Sequence, residues 1–117
     1  MASATRVPSS HSLSTSELLH RIRACVDDIH SHARGQHDHQ HAVRQRLDHL
    51  LRNAMCAQSP SEIAIALGCA AELQVFPDES VLEFCTETVR RSGVGVLRAV
   101  IWTVRHRYAR YRRYHAR

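Results

Sequence analysis

Along most of the chain, apolar residues recur at alternating steps of four and three, the spacing that lines one face of an α-helix. Leu18, Ile22, Cys25 and Ile29 form the first such stripe, widened by Leu19 and Val26. Ser14-Thr15-Ser16-Glu17 before it has capping-box spacing, and Arg34-Gly35 after it supplies a residue suited to a left-handed cap. A second helix is expected from His39 to about Ala57, with a seam of Val43, Leu47, Leu50 and Ala54 and with Leu51 and Met55 beside it. The short connection makes the pair an N-terminal helical hairpin. In this reading His32 and His39 prolong the two seams toward the turn.

Ser59-Pro60-Ser61-Glu62 reads as a helix start, with Ser59 as cap, Pro60 in the first turn and Glu62 closing a capping box. The helix that follows is apolar on nearly every side, so it belongs in the centre of a bundle, and Ala64, Ala66, Gly68, Ala70 and Ala71 permit close approach of its neighbours. Val75-Phe76-Pro77 interrupts the pattern, and a fourth helix from Asp78 would bury Val81, Leu82, Phe84, Cys85 and Val89 before Ser92-Gly93 ends it. A fifth, from Val94 to the end (94–117), carries Leu97, Ile101, Val104, Tyr108 and Tyr111 on one stripe. The expected fold is all-α: a single domain (14–117) built as a small bundle of four to five helices, preceded by a disordered Ser/Thr-rich tail (1–13).

Charge changes the picture at the C-terminal end. Every one of the 16 basic residues is Arg, and the formal net charge is +5. A GC-rich genome or an overlapping reading frame would also exclude Lys, but the resulting surface is the same: planar guanidinium forks suited to phosphate. Residues 72–89 hold five acids and no Arg, whereas residues 90–117 hold nine Arg and no acid. That asymmetry points to a polyanionic partner. On the last helix Arg98, Arg105 and Arg112 lie seven apart along one flank, Arg107, Arg110 and Arg113 widen the basic side, and Trp102 sits between Arg98 and Arg105. Tyr111 and Tyr114 add rings on which bases stack. These nine residues are the expected nucleic-acid contacts, and Arg spread over a helix face suits reading of duplex RNA through its backbone and shape. With no carboxylate after Glu87, nothing in the local sequence cancels the field.

Five histidines, His30, His32, His37, His39 and His41, bracket the first interhelical turn. Imidazoles converging from two helices are a candidate Zn site, with Asp38 as an extra ligand, although the spacing fits no established zinc pattern. Here His32 is expected to face His39, and His30 to approach His41. Cys25, Cys56, Cys69 and Cys85 form no Cys-x-x-Cys pair and fall within helical patterns, as buried reduced thiols of an intracellular protein do. No run is long and apolar enough to cross a membrane, so a cytoplasmic or nuclear location is expected.

Catalysis is not expected. Asp27-Asp28, His37-Asp38 and Asp48-His49 superficially resemble the pairs of helical His/Asp metal hydrolases, but those need ligands spread over a longer bundle. Neither a nucleophile elbow, a Gly-rich phosphate loop nor a reactive-cysteine context is present. The Lys-free, Arg/Ser/His-heavy composition and small size resemble those of virus-encoded accessory proteins, among them helical RNA-binding suppressors of host silencing; the likeness is one of composition, without a shared motif. The expectation is thus a small accessory or regulatory protein that binds RNA or DNA. Two alternatives remain open: a homodimeric helical interaction module, whose seams pair between chains and whose basic tail is a nuclear or nucleolar address or the contact for an acidic partner, and a His-rich metal-binding protein.

Overall fold

The computed structural model describes residues 13–115 and contains five helices with no strand among them: α1 (Thr15–Ala33), α2 (His39–Cys56), α3 (Pro60–Leu73), α4 (Glu79–Arg91) and α5 (Gly95–His115). The expected tail lies outside the described residues except for Leu13, which packs against the core.

Local chemistry sets the helix ends. The Glu17 amide donates to Ser14 Oγ (3.1 Å) while the Ser14 amide donates to Glu17 Oε1 (3.0 Å), completing the capping box of α1. Gly35 (φ +84°) and Gly93 (φ +75°) turn the chain in the left-handed region after α1 and α4. Ser59 caps α3 through the Glu62 amide (3.2 Å), but the box stays half made. The Glu62 carboxylate instead takes Arg21 of α1 at 2.7 Å, a charge-assisted bond across two helices. At α3's other end the non-glycine Gln74 adopts φ +56° as its cap.

Helix α3 is the hub. It packs against all four other helices, while α1 pairs with α2 and α4 with α5. Its residues are buried from Ser61 to Ala71 except half-buried Glu62. The small residues matter at Gly68, where an added Cβ would stand 2.6 Å from Ile22 Cδ1 and 3.1 Å from its Cγ1, so the glycine leaves room for the Ile22 side chain of α1. Leu18, Ile22, Leu51, Ile63, Leu67, Leu82, Val89, Leu97, Ile101 and Val104 belong to one buried cluster; Ile29, Ala33, Val43, Leu47, Cys69 and Ala70 form a second between the hairpin and α3.

Several side chains depart from their expected places. Ala33, not His32, continues the α1 seam, and His32 and His39 are both exposed. Leu51 is buried where Leu50 was expected and Leu50 is half-buried, because α3 approaches α2 slightly to one side of the seam that sequence spacing defines. Leu19 (57% exposed) and Phe84 (59% exposed) lie at the solvent-facing edges of their stripes, and Thr86 takes an inner place on α4, its hydroxyl donating to the Glu83 carbonyl. No helix among the described residues is long and apolar enough to cross a membrane.

Candidate nucleic-acid interface

Helix α5 lies with Leu97, Ile101 and Val104 buried against the bundle. Beyond Val104 its inner stripe is aromatic. Tyr108 and Tyr111 flank Phe76, with ring centroids 5.2 and 5.1 Å away, the first edge-on and the second tilted. Phe76, from the segment that interrupts the helical pattern, is thus the buried anchor for the last turns of α5. Tyr111 also stacks on His115 at 4.2 Å. It is half-buried and committed to packing, so of the two tyrosines expected to meet bases only Tyr114, 75% exposed, is presented to solvent.

The flanks of α5 are not free of acid. Arg107 reaches Glu72 on α3 at 3.2 Å and Arg112 reaches Glu79 on α4 at 3.4 Å, with Arg112 also 6.0 Å from the Tyr108 ring centre. This corrects the expectation of an uncancelled field: acids from earlier in the chain fold back onto both flanks. Both pairs are half-exposed and worth at most about 1 kcal/mol each. Glu87 is occupied within α4, where Arg90 grips both of its oxygens at 2.8 Å and Arg91 lies at 3.2 Å. Those guanidinium groups hold the Glu87 carboxyl below its ordinary value, Arg90 contributing most.

What remains is the outward face. Arg98, Arg105, Arg110 and Arg113 are exposed and make no ion pair with any described residue. Trp102, 68% exposed, lies on this face. It stacks not on arginine but on His106, with centroids 5.3 Å apart and planes within 4° of parallel. A groove beside it is lined by Arg90, Arg98, Ile101, Trp102, Arg105 and His106. The nine expected contacts therefore separate into an outward set (Arg98, Trp102, Arg105, Arg110, Arg113, Tyr114) and a set tied to the bundle (Arg107, Tyr111, Arg112). His106 was missed; its spacing of four from Trp102 was the available signal.

At the hairpin turn, His30 rather than His32 meets His39, near-parallel at 6.1 Å. Asp38 is engaged as the α2 cap, accepting from the His41 amide at 3.1 Å, so its side chain is directed into the helix end. Among the described residues no three His, Cys, Asp or Glu side chains converge as a metal set would.

The thiols also differ from expectation. Cys69 and Cys85 are buried, but Cys25 is half-buried and Cys56 exposed. Cys25 on α1 packs against the buried cluster that holds Cys69 of α3. The neighbouring Cys69 thiol lowers the Cys25 thiol to about 7, against the opposing effects of burial and of Asp28 and Glu62. Cys69 is pushed up by the Cys25 thiol and by burial. The fold thus assembles the cysteine context that no sequence spacing announced.

No protein-family model matches the chain, and no curated protein or solved structure matches it either.

Proposed function

We propose that the chain is a small nucleic-acid-binding accessory or regulatory protein, a binder rather than an enzyme, that meets phosphate through the outward face of α5. The observation that carries this reading is the set Arg98, Arg105, Arg110 and Arg113, exposed on one helix without a carboxylate partner among the described residues. Like charges so placed repel; Arg110 and Arg113, three apart, cost the isolated helix a few tenths of a kcal/mol. An anion laid along the face removes that cost, and guanidinium forks are well matched to phosphate oxygens. RNA is the favoured partner, through contacts to backbone and shape along the helix.

The test is filter binding with duplex RNA, single-stranded RNA and duplex DNA, each at two salt concentrations. Retention at low salt with a steep loss at high salt is expected. No retention of any of the three at low salt would refute the reading and favour a helical interaction module whose basic helix meets an acidic protein.

A further inference from the structure

An exposed tryptophan among arginines asks for an explanation that phosphate contact alone does not give. An indole carries no charge to neutralise a phosphate and offers it one N–H at most, and Trp102 leaves 68% of its surface in water. One of its faces is covered by the parallel ring of His106, 5.3 Å away. Arg98, which leaves α5 one turn earlier, lines the same groove as the indole. Four residues of helix span about 6 Å of axis. A flat ring inserted between two others needs about 6.8 Å, twice the 3.4 Å base step, so a modest swing of the flexible Arg98 side chain opens a slot one ring thick. Arg105, unpaired, stands on the groove's rim; Arg90 lines it too but is held by Glu87.

The chemistry of the slot selects its occupant. The groove's exposed apolar surface is chiefly ring, with Ile101 only 4% exposed, and it is framed by guanidinium groups, so it suits a flat ring that carries an anion. A planar heteroaromatic ring carrying a phosphate satisfies both halves of the site, ring on indole and oxygens on guanidinium. We infer that Trp102, backed by His106, is a stacking platform for an unpaired nucleobase, with Arg98 covering the base and Arg105 holding the adjacent phosphate. This rests on the proposed nucleic-acid reading and sharpens it: the partner must offer a base outside a duplex, as a single strand, loop or end does.

Trp102 is the chain's single tryptophan, so intrinsic fluorescence reports on this site alone. The experiment titrates the full chain with three probes: a single-stranded oligoadenylate, an abasic strand of equal length and charge, and heparin. The intact strand should quench Trp102 and bind tighter than the abasic strand by about 5- to 150-fold, the range expected for one stacked base. Heparin should bind without comparable quenching. In Trp102→Leu, followed with a fluorescein-labelled strand, the advantage of the intact strand should vanish while heparin affinity stays unchanged; Trp102→Phe should restore part of it. Circular dichroism should show both variants folded, since the side chain is outside the core. Equal affinity for intact and abasic strands, or discrimination that survives Trp102→Leu, would overturn the platform while leaving phosphate binding standing. Failure of all three probes to bind at low salt would overturn both.

Discussion

Removing two glutamates should make this protein a better and more salt-sensitive ligand for duplex nucleic acid. Glu72 and Glu79 occupy Arg107 and Arg112 at 3.2 and 3.4 Å. For either arginine to meet phosphate, an ion pair worth up to about 1 kcal/mol must first be released, leaving a bare carboxylate beside the incoming strand. Among the described residues the wild-type face therefore presents four uncommitted cations, Arg98, Arg105, Arg110 and Arg113. Counterion release gives log K against log salt a slope of about −0.9 per phosphate neutralised, hence about −3.6 for four contacts. Glu72→Gln with Glu79→Gln keeps the shape of both side chains and frees two more guanidiniums, moving the slope toward about −5.4. Between 50 and 200 mM salt, affinity should then fall about 150-fold for wild type and about 1,800-fold for the double variant. Arg98→Gln with Arg105→Gln should reduce the slope to about −1.8. Fluorescence polarisation of a labelled duplex over five salt concentrations measures all three. A glutamine variant whose slope and low-salt affinity match wild type would refute the argument, because the paired and unpaired arginines would then be equivalent.

Other parts of the structure make independent predictions. Gly68→Ala gains about 1 kcal/mol of helix propensity but drives a methyl to 2.6 Å from Ile22 Cδ1, an overpacking cost of about 1–3 kcal/mol, so urea melts should show net destabilisation of about 1 kcal/mol. Adding Ile22→Val removes that Cδ1 and should recover part of the loss; strictly additive effects would contradict the close contact. In a Cys56→Ser background, iodoacetamide should modify Cys25 with a rate half-maximal near about pH 7 and leave Cys69 untouched, and Cys69→Ala should move the midpoint up toward about 8.5, an ordinary thiol value. By linkage, a Cys25 thiol depressed in the folded state adds stability as pH rises above 7, and the raised Cys69 takes stability away once the unfolded thiol begins to ionise. Phe76→Ala should cost about 3–5 kcal/mol and, read by hydrogen exchange, loosen the last turns of α5 before the rest of the bundle; uniform loosening would mean that the aromatic cluster is not their anchor.

What the sequence made legible is what is decided within one or two turns. Ser14 with Glu17, Gly35, Pro60 and Gly93 fix helix ends by local bonding and backbone freedom, so the five segments appear where local signals put them. The apolar run of α3 announced its central place. Rotational phase was less legible: Leu50 and Leu51 differ by one position, and only the approach direction of α3 decides which is buried. Leu19 and Phe84 read as inner residues because periodicity reports a hydrophobic arc without the width of the neighbour that covers it. Contacts between distant segments were invisible. Nothing near Arg107 or Arg112 in the chain names Glu72 or Glu79, and nothing near Cys25 names Cys69. The outward arginines were legible for the opposite reason: they pair with no acid among the described residues, so composition describes their charge.

The placement of α3 between two helical hairpins bears on how the chain comes apart. Both hairpins rest on the same central rod, whose Ile63, Ile65 and Leu67 belong to a cluster shared with each of them, so neither half owns a complete interior. Cut within the connection before Pro60, the N-terminal piece would lose its floor and the C-terminal piece would carry a bare, alanine-lined trough. Each would seek the other, and the severed protein would reassemble as a complementing pair.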